Sequence, residues 1–379
     1  MLFQEKYGII LIIIIALWGI IIMVHTNRKE KNKRFHDSRC RKILQHLTKR
    51  NKRNELQKRF QHSMQPGVAA VNSTGRTSIY RLKAPRHLSI FDETQSAIIY
   101  FDKVLQTIQK CKFRDSILFD LSEVEIITPD AIMYLIAIIR NTRRIRFLRI
   151  SCGGNMPKAD SARDIIEQSG FFSFVSSTSK LQIEPDNSYM KISDGVDADG
   201  ELASSFCDFV QSSSTQTVLS TKRLYPMIIE LMTNTHQHAY DTQEAQTMMG
   251  NWYIFAQDTG TAIHFVFLDT GLGIPKTVLK RFYEKIKDFA FRNDAVYLKS
   301  ALQGTFRSET KQGHRGKGLP GIYEDACNLS IMGLSIISGQ GKCTVKENGG
   351  IETENFDQTF EGTLFTWDIL KEEVLYDHS

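Results

Sequence analysis

The chain has 379 residues, 41% hydrophobic and 24% charged, a composition ordinary for globular protein and long enough for two or three domains. The formal net charge of +6 does not mark a nucleic-acid-binding domain, because it is unevenly spread. Residues 25–62 hold fourteen Lys and Arg against three Asp and Glu, a net +11, which leaves about −5 for the rest.

In chain order, Tyr7 to Val24 is an uncharged, isoleucine-rich run of eighteen residues. As a helix it spans about 27 Å, enough for a bilayer core. R-K-E-K-N-K-R follows almost at once, so the expectation is an uncleaved single-pass anchor in an inner or plasma membrane. The N-terminus would face out and the later domains the cytoplasm. Residues 28–62 suit either a helix near anionic headgroups or a solvated stalk, and Pro66 with its small neighbours makes 63–75 a linker.

From Arg76 to about residue 184 the pattern alternates. Strands are expected over Thr77–Leu82, Ser116–Leu121 and Ile145–Ile150. Helices are expected over Phe91–Cys111, Ala131–Arg143 and Ser161–Gln168, which together make a small α/β domain. Its centre, S-I-L-F-D-L-S-E-V-E-I-I-T-P-D-A-I-M-Y-L, resembles the STAS domain of anti-sigma-factor antagonists. That family carries a phosphorylated serine at the start of the following helix, where this chain has Thr128-Pro129-Asp130. A helix cap explains those three residues more simply than a phosphorylation site, and the domain is expected to dock or sense. Residues 185–219 read as a connector with one short helix.

Leu224 to Tyr240, L-Y-P-M-I-I-E-L-M-T-N-T-H-Q-H-A-Y, reads as a helix with Pro226 in its first turn. Glu230, Asn234 and His238 are spaced four apart and share one face. A carboxylate can orient a water, an amide oxygen can ligate a hard cation, and an imidazole can meet a phosphate. Ile263 to Pro275 is an apolar strand that ends in Asp269, with Gly271 and Gly273 in the turn. Gly313 to Gly321, G-H-R-G-K-G-L-P-G, precedes a helix over Ile322–Leu329, so backbone N–H groups could approach a phosphate beside Arg315 and Lys317. F-E-G-T-L-F-T-W-D-I, from Phe360, is a strand with Gly362-Thr363 near its start.

In order, these four stretches resemble the N, G1, G2 and G-T boxes of the ATPase family that includes gyrase B, Hsp90, histidine kinases and MutL. The resemblance covers residues 220–372 and implies a two-layer α/β sandwich, the Bergerat fold, ahead of a short tail at 373–379. It implies ATP and Mg²⁺ as cofactors and Glu230 as the general base or water-orienting acid. Asn234 would hold the metal and His238 would lie near the phosphates. Asp269 would bind the adenine amine, with Gly271 and Gly273 shaping its turn. Arg315, Gly316, Lys317, Gly318, Leu319 and Gly321 would form the phosphate loop, and Thr363 would support the base. The N box, ending H-A-Y, is most similar to that of the anti-sigma-factor serine kinases. Two departures are the long segment from Lys276 to Gln312 and Pro320, which interrupts the usual G-x-G-L-G run.

The whole-chain fold class expected is thus a transmembrane helix, a STAS-like α/β domain and an α/β-sandwich ATPase domain. The expected function is a membrane-anchored regulatory ATPase that couples nucleotide state to an unidentified protein partner through the STAS-like domain, with a homodimer among the expected assemblies. A serine/threonine kinase of the anti-sigma-factor type and a non-hydrolysing scaffold are the alternatives. No H-E-L-R-T-P-like helical segment precedes the ATPase region, which disfavours a sensor histidine kinase. The six cysteines form no C-x-x-C, so zinc or disulfides are not expected, and the basic run lacks the modules of specific nucleic-acid binding.

Overall fold

The computed structural model describes residues 77–144, 149–175, 186–213, 218–239, 251–279, 293–305 and 318–371. All lie in one compact unit that begins at Thr77. The anchor expected over 7–24 and the basic segment after it fall outside the described residues, and among the described residues no helix is long and apolar enough to cross a membrane. The fold class is corrected accordingly to mixed α/β, and the single-pass membrane localisation is set aside.

The first layer is a parallel sheet of β1 (Ile79–Lys83), β3 (Ser116–Asp120) and β5 (Ser151–Asn155), in that order. A small parallel pair, β2 (His87–Leu88) and β4 (Ile126–Ile127), lies beside it. Its helices are α1 (Thr94–Lys110), α2 (Pro129–Arg144), α3 (Asp160–Gln168) and α4 (Phe171–Val175). Of the strand expected over Ile145–Ile150, residues 145–148 fall outside the described residues; the third strand of this sheet is S-C-G-G-N. Low strand propensity hid it, yet the glycines fit the site. A Cβ on Gly154 would stand 2.6 Å from the Phe119 carbonyl oxygen.

The Thr128-Pro129-Asp130 turn is built around Asp130. Its buried carboxylate accepts the N–H groups of Ile90 (2.8 Å) and Phe91 (3.1 Å), which ties the start of α2 to the loop after β2. Burial pushes this carboxyl above the usual range, and hydrogen bonds from the Thr128 side chain and three backbone N–H groups oppose the shift.

The second layer is an antiparallel sheet in the order β6-β7-β8-β10-β9. Its strands are β6 (Tyr189–Gly195), β7 (Trp252–Asp258), β8 (Ala262–Asp269), β9 (Met332–Val345) and β10 (Ile351–Leu370). The helices that accompany it include α5 (Gly200–Ser213), α6 (Val218–Ala239), α7 (Asp294–Leu302) and α8 (Leu319–Cys327). Of the segment expected to be a connector with one short helix, α5 is that helix, and β6 adds an edge strand of this layer. Only Ile192 of β6 is fully buried, which is why its apolar signal was weak. Pro226 lies inside α6, not in its first turn. It is exposed there, where the carbonyl it leaves without a helix partner can meet water.

The five-stranded sheet is buried on both faces. Ile254, Phe265, Phe267, Phe365 and Trp367 share a core with Met227, Leu231 and Ile322 of the helices. The alternate residues Tyr253, Phe255, Val266, Leu268 and Leu364 share a core with α1 and α2 of the first layer. This explains α2, in which every residue from Ala131 to Ile139 is buried. A helix apolar all round must be covered all round, and this one lies between two sheets.

Polar contacts fix that docking. Lys342 donates to the Phe91 carbonyl oxygen (2.7 Å) and to the Thr94 hydroxyl (3.1 Å). Arg140 of α2 pairs with Asp194 of β6 and lies 5.9 Å from the Tyr253 ring centroid. The Tyr134 ring stacks on Phe360 at 4.4 Å between centroids.

Candidate functional site

Four segments distant in sequence meet at one end of the five-stranded sheet. Asp269 closes β8 and stands opposite Thr363 of β10 on one side and Trp252 of β7 on the other. Its carboxylate accepts the Gly271 N–H at 2.7 Å and is within hydrogen-bonding reach of the Thr235 side chain on α6. Desolvation outweighs both bonds and pushes this carboxyl up to about 7. A half-buried acid poised near neutrality, at a strand end and in a glycine turn, is suited to a ligand that brings its own donor.

The turn after Asp269 is held by a residue that sequence reasoning missed. Ser338 of β9, fully buried, donates to the Gly362 carbonyl oxygen (2.7 Å) and accepts the Ile274 N–H (3.0 Å). Its hydroxyl also lies 3.1 Å from that of Thr363. One side chain thus joins the turn that carries Gly273 to the Gly362-Thr363 step. Gly273 has φ +84°, and a Cβ there would stand 2.7 Å from Ser338 Oγ. A signal was present in I-I-S-G-Q-G, where a small polar residue and a glycine interrupt an apolar strand.

Glu230 comes to the start of α8. A Cβ built on Gly318 would lie 3.5 Å from Glu230 Oε1, so the carboxylate stands over this glycine. Gly318 caps α8 with φ 61° and ψ −148°, a conformation essentially reserved for glycine. Leu319 and Pro320 begin the helix, and the Gly321 N–H returns to the Gly318 carbonyl oxygen at 2.9 Å. Proline is at home in such a first turn, so Pro320 fits it. An ion pair from Arg223 of α6 to Asp325 of α8, 3.2 Å, bridges the two helices.

Asn234 is half-buried, one turn beyond Glu230 on α6. His238 belongs to the same helix, but its side chain lies outside the described residues. Arg315, Gly316 and Lys317 also lie outside them, as do residues 280–292 and 306–312 of the long segment between the second and third boxes. Among the described residues no group of three or more His, Cys, Asp or Glu is placed to hold a metal ion. That does not conflict with Mg²⁺, which is usually held by one or two protein groups together with phosphates and waters. Asn234 with nearby Glu230 suits that mode.

A separate cavity of about 160 Å³ lies within the first layer, lined by Phe119, Leu135, Ile139, Cys152 and Phe171 among others. It contains none of the residues of the four boxes. No family model matches the chain, and no curated protein matches it.

Proposed function

We propose that the end of the five-stranded sheet binds Mg-ATP in the manner of the gyrase B, Hsp90, histidine kinase and MutL family. On this reading the chain is a regulatory ATPase whose nucleotide state acts through the STAS-like first layer. One observation carries the proposal: the four resembling segments, spread from Glu230 to Thr363, converge on Asp269, Ser338 and Gly318.

In this reading Asp269, ionised, accepts the exocyclic amine of adenine, and Ser338 and Thr363 floor the base subsite. The open backbone at Gly318 and the start of α8 face the phosphates, where a side chain would intrude. Asn234 would hold Mg²⁺, which supplies charge neutralisation at the phosphate oxygens. Glu230 takes a proton from, or orients, the water that attacks the γ-phosphorus. The terminal P–O bond breaks, the bridging oxygen leaves with ADP, and inorganic phosphate is released.

The test follows the γ-phosphate. With Mg²⁺ and γ-labelled ATP, the full chain should release free labelled phosphate, and Glu230→Gln should stop release while retaining ATP. Acid-stable label on protein would replace hydrolysis with serine/threonine phosphotransfer. Absence of ATP binding in the parent chain would overturn the proposal.

A further inference from the structure

We propose that Tyr134, on α2 of the first layer, is a positioning residue for the base end of the nucleotide site, acting through a bulge in β10. This inference rests on the nucleotide reading above. The register between β9 and β10 steps from Phe360↔Gly339 to Thr363↔Ser338, so Glu361 and Gly362 are extra residues on β10. Both flanks of this bulge are fixed by particular contacts. On the first-layer side, the Tyr134 ring stacks on Phe360 (4.4 Å, 25°) and the Glu361 N–H donates to the Tyr134 hydroxyl oxygen (3.3 Å). On the pocket side, the Gly362 carbonyl oxygen accepts from Ser338, and Thr363 stands opposite Asp269.

The bulge has little freedom of its own. Gly362 has φ +100°, and a Cβ on it would collide with the Asp269 carbonyl oxygen. A shift of Phe360 and Glu361 therefore carries Gly362 with it, and Gly362 carries the Ser338–Thr363 floor and the backbone of Asp269. Tyr134 is itself fixed, fully buried between the sheets with Phe101 edge-on at 4.9 Å. A rigid ring on one side and a packed pocket on the other make the bulge a short lever between the layers. The dependence must be mutual: if the docked helix sets nucleotide affinity, nucleotide must tighten the docked helix by the same factor.

Tyr134→Phe keeps the ring stack and removes the hydroxyl. The full-length variant should bind ATP and ADP about three- to tenfold more weakly, the range expected for one lost hydrogen bond. The factor should be the same for both nucleotides, with the turnover rate at saturation unchanged, since the loss falls at the base and not at the phosphates. Without nucleotide, the amides of Glu361 to Thr363 should exchange hydrogen faster in the variant. Amide exchange in the parent chain should slow over Tyr134 to Ile138 when ADP binds. Parent-like exchange at Glu361 to Thr363, or faster exchange with unchanged affinity for both nucleotides, would overturn the proposal. If the parent binds no nucleotide, the function reading fails, and exchange across the bulge alone decides whether Tyr134 positions it.

Discussion

Asp115 and Asp120, at the two ends of β3, and Asp269, at the end of β8, are treated in opposite ways. In the first layer, Asp115 accepts the Ser78 and Lys112 N–H groups, and these bonds hold its carboxyl below the usual range. Asp120 accepts from Asn155 and twice from Ser122, which holds its carboxyl at about 2. Such groups are finished: their lone pairs go to the chain, and they fasten loops to strand ends. Asp269, at a comparable strand end of the second layer, is desolvated faster than it is compensated, and its carboxyl rises to about 7. Under-compensated polarity of this kind is what a binding site needs before its ligand arrives, and it separates Asp269 from Asp115 and Asp120.

The largest effect expected is on turnover. Glu230→Gln should lower ATP hydrolysis by about 10²- to 10⁴-fold, the usual contribution of a positioned general base, with little change in ATP affinity. Parent-like hydrolysis in a steady-state phosphate-release assay would remove Glu230 from the chemistry. Next comes Asp130→Ala, which strands the Ile90 and Phe91 N–H groups in the interior and should cost about 1–3 kcal/mol of stability. It should leave nucleotide affinity in the folded fraction unchanged, as denaturant melts paired with titrations would show. An equal loss of affinity would give Asp130 a part in the nucleotide site.

Asp269→Asn should have divided consequences. The acid is raised in the folded state, so its contribution to stability is fully present below the ordinary carboxyl range, near pH 4. It is lost as pH rises toward about 7. At pH 8 the amide variant should therefore melt later than the parent while binding ATP at least about tenfold more weakly. Earlier melting at pH 8 would mean that the carboxylate is a structural acceptor like Asp120. The smallest effect belongs to Ser338→Ala, about 1 kcal/mol of stability with a few-fold weaker ADP binding, read by melting and titration.

Much of this was legible because it is local. The apolar run from Ile263 to Leu268 ends abruptly in Asp269 and glycines, and the Glu230–Asn234–His238 spacing needs only helical periodicity. What escaped depends on partners far along the chain. Ser338 gains its meaning from Gly362 and Ile274. β6 is a strand because β7 pairs with it, and S-C-G-G-N is one because β3 pairs with it and approaches Gly154 too closely for a side chain. The all-round apolarity of Ala131 to Ile139 reads as helix, whereas the second sheet that covers it comes from residues far along the chain. Local rules favour Pro226 in a first turn, whereas α6 begins eight residues earlier.

The most direct test of the pocket is the proton balance of nucleotide binding. A carboxyl near 7 that must ionise to accept the adenine amine should release protons when ADP binds at pH 6.5. Calorimetric titration of the full chain in two buffers of different ionisation enthalpy would show it. The expected result is net proton release in the parent that disappears, along with at least about tenfold of affinity, in Asp269→Asn. ADP binding with no proton release, and with equal affinity in Asp269→Asn, would place the base of the nucleotide elsewhere and contradict the site described.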